Sequence, residues 1–340
     1  MPDHLLRVLY RDAAAWSAAR WVCALFTVFA LCPSADAWAQ GWKPVKTVEF
    51  LVGSGAGGGN DKTARTMQRI WQGSGALQNI AVVNKVGGGG AVAYAYVAQR
   101  AGDAHYLAVV RKAFLTNHIL GRSPFNYTDM TVLGIVGDEV MALAVRADSP
   151  IHTLKDLLER LKLDPQSVSV SLGSARGSTP HFTYALVAKS AGIDPRKLKV
   201  VTFGGAAESV TNLLGGHIDM TVGSVDNMIP HLRSGAVRIL GISGAQRSAS
   251  LPELPTLKEQ GIDVVQGGWL AVMAPKGLSE AQIAYWESML ERAVAHADWK
   301  RLLEADALEP MFLKGQAARD YLKKDYELSR SLLGEIGMVK

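Results

Sequence analysis

Gly53-Ser54-Gly55-Ala56-Gly57-Gly58-Gly59-Asn60-Asp61 decides how this chain is read. It follows the strand-like run Val48–Val52 and leads into residues 62–71, which carry helical periodicity. A strand, a glycine-rich turn and a helix start gather several backbone N–H groups around one point. The positive end of the helix dipole adds to them, so the natural guest is an anion. Glycine lets the main chain approach that guest and adopt positive φ.

Gly53, Gly55 and Gly58 also fit G-x-G-x-x-G, so a nucleotide guest has to be considered. A dinucleotide fold needs an acidic residue about 20 positions on, at the end of the next strand, to hold the ribose. Here the next strand, 80–83, ends in Asn84-Lys85, and no Asp or Glu lies between Asp61 and Asp103. A P-loop fails too, because Asp61 stands before Lys62-Thr63 where glycine belongs and would repel a polyphosphate. A glycine turn with no ligand is the plain alternative.

Residues 1–39 have the form of an export signal. Arg7, Arg11 and Arg20 make the basic region, 21–31 the apolar core, and Ala37-Trp38-Ala39 the cleavage site, so the mature chain is expected to start at Gln40 in the periplasm. An apolar core of eleven residues is too short to span a bilayer. Both cysteines, Cys23 and Cys32, fall in this segment, and Leu31 stands where a lipidation site at Cys32 would want a small residue. Cleavage after Ala39 leaves no cysteine, so the core must hold the fold without disulfides. Three Arg and three Asp leave with the signal, and the net charge stays at +5. That excess suits an anionic solute. No basic run interleaved with aromatics indicates nucleic acid, and the eight histidines show no metal spacing.

Strand-like runs alternate with amphipathic stretches throughout, which predicts an α/β fold. The strand candidates are 48–52, 80–83, 106–110, 140–145, 168–171, 199–202, 220–222, 238–243 and 270–274. Gly87 to Gly90 open a second strand–glycine–helix unit, and 171–181 a third, in which Ser178 or Thr179 can cap a helix with Pro180 in its first turn. Three converging glycine-rich helix starts would make a cleft of N–H groups and hydroxyls suited to carboxylates. Residues 279–297 and 316–333 read as C-terminal helices separated by Pro310.

Five segments in order carry a resemblance over nearly the whole mature chain. They are Gly57-Gly58-Gly59-Asn60-Asp61-Lys62-Thr63-Ala64-Arg65, Asn84-Lys85-Val86-Gly87-Gly88-Gly89, Gly177-Ser178-Thr179-Pro180-His181, residues 213–219 and residues 247–261. The chain resembles the periplasmic solute receptors of tripartite tricarboxylate transporters, the tricarboxylate-binding receptor and Bug family. The resemblance implies a two-lobed, Venus-flytrap α/β fold, with lobe one at 44–142 plus 269–340 and lobe two at 143–268. It implies a non-catalytic, monomeric receptor without cofactor, which closes on a small di- or tricarboxylate such as citrate. Its partner would be the membrane part of the transporter.

The implied ligand contacts are Ser54, Gly55, Ala56, Gly57, Asn60 and Asp61 in the first loop and Gly89 in the second. The second lobe would add Ser174, Ser178, Thr179 and His181, then Gly204, Gly205, Glu208 and Asp226. Many relatives have Tyr-Lys-Gly where this chain has Phe203-Gly204-Gly205, so a cation is missing and the Gly-Gly form with Glu208 resembles the tricarboxylate branch. Asp61 would hold the glycine loop, bind water, or serve as a helix-start acid. Asp226 would line the cleft or sit in a turn. Two other readings compete. Ser178 and His181 could be the nucleophile and base of a secreted hydrolase, although no third orienting acid is evident. The chain could also deliver its solute to a sensory receptor.

Overall fold

Alternating buried strands and amphipathic helices build two open sheets, one on each side of a cleft. The computed structural model describes residues 41–172 and 176–339. The expected cleavage site lies outside the described residues. From Lys43 onward the chain forms one compact unit.

The first stretch runs β1 (Val48–Val52), α1 (Gly59–Gly73), β2 (Ile80–Asn84), α2 (Ala91–Ala98), β3 (Tyr106–Arg111), α3 (Ala113–Ile119) and β4 (Met130–Glu139). The middle runs β5 (Met141–Arg146), α4 (Leu154–Leu163), β6 (Val170–Ser171), α5 (Thr179–Ser190), β7 (Val200–Val201), α6 (Ala206–Leu214), β8 (Met220–Ser224), α7 (Ile229–Arg233) and β9 (Val237–Ile242). The chain then returns through β10 (Leu270–Pro275), α8 (Glu280–Ala295), α9 (Ala297–Ala305), β11 (Leu308–Glu309) and α10 (Gly315–Glu335).

One sheet has the order β11-β4-β10-β3-β1-β2, with β1 parallel to β2 and β3 and with β10 antiparallel to β3 and β4. The other has the order β7-β6-β8-β5-β9, with β6 parallel to β7 and β8 and with β5 antiparallel to β8 and β9. The chain passes between the sheets at Val140 and again before β10. The two passages lie side by side, because Val140 bridges Gly267 and the Gly268 N–H donates to the Glu139 carbonyl at 3.0 Å.

All nine strand candidates become strands, with ends shifted by at most two residues. Sequence reading misses β4 and β11. Met130, Val132, Leu133, Ile135 and Val136 are buried on both faces of β4, so the strand lacks the alternation that marks a half-buried one. Gly134 also interrupts it, and there a Cβ would come within 3.3 Å of both Leu290 Cδ1 and the Leu313 carbonyl oxygen. That glycine marks a close approach, not a break.

Helix α1 shows why the opening loop is held firmly. Ala64, Met67, Ile70 and Trp71 form its buried stripe at helical spacing. Trp71 stacks on Phe50 at 5.8 Å, and its indole N–H donates to the Met289 carbonyl at 3.0 Å, tying α1 to α8. Helix α10 reaches the second sheet's side of the molecule. Leu332 and Leu333 bury Phe182 of α5, and Lys189 pairs with Glu335 at 2.6 Å. Phe182 is fully buried, a contribution of about 1.5–3 kcal/mol. Trp269, expected in the core, is fully buried and donates its indole N–H to Asp325 Oδ2 at 2.7 Å.

Candidate functional site

The carboxyl ends of β3, β6 and β8 open on one cleft, where Arg111, Leu172 and Ser224 line it. Open α/β sheets bind ligands at such ends. The first loop is shaped by contact with the second. A Cβ on Gly53 would lie 2.5 Å from Gly90 Cα, so only glycine fits there. Gly87, Gly88, Gly89 and Gly90 all have positive φ, which a run of other residues would not sustain.

Asp61 is buried and acts as the staple of the first loop. Its Oδ2 accepts from Gly57 N–H at 2.9 Å and from Arg65 Nε at 2.8 Å, while Oδ1 accepts from Asn84 Nδ2 at 3.0 Å. Asn84 also donates to the Ser54 carbonyl at 3.0 Å. Burial pushes the Asp61 carboxyl up, but Arg65, Gly57 and Asn84 together outweigh it and hold it at about 2. Gly55, Ala56 and Gly57 form the exposed tip of the loop. The Ser54 hydroxyl is buried and has no partner among the described residues. Gly89 is exposed, and a Cβ there would lie 3.0 Å from Asn117 Nδ2.

A cation stands at the end of β3. Arg111 donates through Nε to Asn60 Oδ1, and its Nη1 lies 3.1 Å from Glu139 Oε1. Its Nη2 packs so closely on Gly59 that a Cβ there would sit 2.8 Å away. Behind it, buried Lys112 pairs with Asp325 Oδ1 at 2.6 Å. Burial raises the neighbouring Asp138 carboxyl to about 7, with Lys112 opposing the rise and Glu139 adding to it. A basic pair closing the third parallel strand was the available signal for Arg111. Nothing marked Glu139, because β4 itself was not seen.

Across the cleft, Ser178 occupies the N-cap position of α5, and Pro180 lies in the first turn. The Ser178 hydroxyl makes no cap bond and is buried without a partner among the described residues. His181 is buried, and its Nδ1 accepts the Gly177 N–H at 2.9 Å. Burial, with Arg176 nearby, lowers it to about 4, so the imidazole is neutral at pH 7. It braces the loop, and no hydrogen bond joins it to Ser178. Ser174 lies outside the described residues. Glu208 is exposed and its Oε2 accepts the Gly204 N–H at 2.8 Å, so it staples the loop that also carries Gly205. Asp226 sits in a short 3-10 turn and accepts from Asn227 Nδ2 at 2.9 Å.

A cleft of about 240 Å³ lies between the ends of β3 and β4 and the start of α5, and of the expected ligand contacts Ser178 and Thr179 line it while the first glycine loop, Gly89, His181, Gly204, Gly205, Glu208 and Asp226 do not. Arg111, Lys112, Glu139 and Gly268 line one side, and Ser178, Thr179, Pro180, Ala206, Ser224 and Asn227 the other. The volume is below the usual range of about 300–1,000 Å³ for drug-sized ligands. A larger cavity of about 390 Å³ lies elsewhere, between α9, the β11 region and residues 248–250. Trp299, Leu303, Leu308 and Phe312 make much of its wall. Ser248, Ser250, Lys300 and Glu304 also stand on that wall.

Known proteins share this architecture. The family described as "Tripartite tricarboxylate transporter family receptor" (TctC) matches residues 67–338. A UPF0065 protein in the gbd 5′ region of Cupriavidus necator is 27% identical over 302 residues, spanning 87% of this chain and 89% of its own. Protein BugT of Bordetella pertussis strain Tohama I is 25% identical, spanning 86% of this chain and 90% of its own. The crystal structure of a TctC solute binding protein from Polaromonas superimposes with a TM-score of 0.74 at 25% identity, covering 86% of this chain and all of that one. MatC from Rhodopseudomonas palustris with bound malate shares the fold, with a TM-score of 0.70 at 21% identity over 86% of this chain and all of that one. These are solute-binding receptors, not enzymes, so the hydrolase reading of Ser178 and His181 is set aside. The chain belongs to the TctC family of periplasmic receptors of tripartite tricarboxylate transporters.

Proposed function

We propose that this receptor closes its two lobes, 44–142 plus 269–340 and 143–268, on a small organic carboxylate of the di- or tricarboxylate class. The paired passages at Val140 and Gly267 supply the hinge. The closed form would be read by the membrane part of a tripartite transporter, after cleavage of the leader behind Ala39.

One observation carries the reading. Two buried hydroxyls, Ser54 Oγ and Ser178 Oγ, have no partner among the described residues, and they sit on glycine loops at the strand ends of opposite lobes. A buried unsatisfied group costs about 1–3 kcal/mol, and a carboxylate between the loops would accept from both. The neighbour with bound malate is consistent with a guest of this size. The test is calorimetry of Ser178→Ala against citrate, malate and succinate. Losing one hydrogen bond to a charged guest is expected to weaken binding about ten- to hundredfold. Unchanged affinity would refute the clamp.

A further inference from the structure

We infer that Glu139 and Arg111 form a paired reader at the inner end of the cleft, selecting solutes that carry a hydrogen-bond donor beside their carboxylate. This rests on the carboxylate-receptor reading above.

Both side chains line the cleft and are largely buried, with 19% of Arg111 and 22% of Glu139 exposed. Glu139 uses one oxygen, Oε1, on Arg111. Its Oε2 has no donor among the described residues. That oxygen lies beside Gly268, where a Cβ would come within 2.9 Å of it and 3.5 Å of Thr179 Oγ1. The free acceptor is therefore held at the start of α5, in the passage where the sheets meet. Arg111 is fixed by Asn60 and Glu139, and its remaining N–H groups have no partner among the described residues.

A cleft with one half-neutralised arginine and one free carboxylate oxygen is a poor host for a second bare carboxylate. Two carboxylates brought together without a proton or donor between them repel, and the low local dielectric strengthens the repulsion. A solute group that offers N–H or O–H to Glu139 avoids this and completes the acceptor. Lys112 does not alter the balance, because Asp325 already pairs it. The preferred guest is thus a hydroxy- or amino-substituted carboxylic acid, and its unsubstituted analogue is selected against. Such discrimination is strong where a site's polar atom is left unpaired by the wrong solute.

Calorimetry on the full receptor with succinate, malate and aspartate, and with citrate and tricarballylate, tests the inference. The wild type should bind at least one of malate and aspartate about tenfold or more tightly than succinate, and citrate more tightly than tricarballylate. Glu139→Ala should level these margins, partly because succinate gains on the freed Arg111. A merely structural role for Glu139 would weaken all the acids alike. Glu139→Gln, nearly isosteric, should level aspartate with succinate while keeping part of malate's margin, since its carbonyl still accepts from a hydroxyl. Succinate binding as tightly as both substituted acids, or margins that survive Glu139→Ala, would overturn the inference and leave the receptor reading standing. If no acid of the panel binds, both fall.

Discussion

Replacing Asp61 with asparagine tests whether this carboxylate sets the shape of the binding loop. Its three partners need three acceptor positions on two oxygens. An amide can keep Gly57 and Arg65 only by turning its NH2 on Asn84. If Asn84 then flips to accept, its carbonyl faces the Ser54 carbonyl, where its own N–H donated before. One donor or acceptor is left unsatisfied in either arrangement. The carboxyl is held at about 2 against an ordinary 3.8. At about 1.4 kcal/mol per pKa unit, this caps its contribution near 2.5 kcal/mol. Arg65 is 43% exposed, and water screening reduces that figure to about 1–2 kcal/mol. A depressed carboxyl stabilises above its unfolded pKa and loses that contribution as pH falls through its folded value. The gap between wild type and Asp61→Asn should therefore be full at pH 7 and narrow from about pH 4 toward pH 2. Urea unfolding across this range measures it, and affinity for the bound acid should fall with it as the Gly57 N–H loosens. Equal stability at pH 7, or a gap that acid does not narrow, would refute the staple.

Two further substitutions probe the scaffold. Gly53→Ala puts a Cβ 2.5 Å from Gly90 Cα, so thermal unfolding should show a loss of about 1–3 kcal/mol together with weaker binding, as the two glycine loops are pushed apart. Asp138 has its carboxyl raised to about 7, chiefly by burial. Its contribution is present below about pH 4 and is lost as pH rises through 7, so Asp138→Asn should remove roughly 1–3 kcal/mol of pH-dependent loss when unfolding is compared at pH 5 and pH 8.

Periodicity and glycine placement in the sequence determine the α/β class, nine of the strands and the three glycine-rich helix starts. These are local properties, set by side-chain alternation and by backbone conformations that only glycine adopts readily. The expectation that the first loop binds an anion rests on the same residues. The tertiary structure alone decides which polar groups remain available after folding. Asp61, His181 and Glu208 stand among the expected ligand contacts with loop bracing as the alternative, and each accepts a backbone N–H from four residues earlier and braces its own loop. Ser178, read as a helix cap or a ligand donor, makes no cap bond, and its hydroxyl has no partner among the described residues. Arg111 and Glu139 are 28 positions apart and meet only because β3 and β4 flank β10 in one sheet. Glu139 reaches the cleft because β4 ends where the chain passes into the second sheet. Pairings of that kind depend on strand order, and residue spacing along the chain does not carry it.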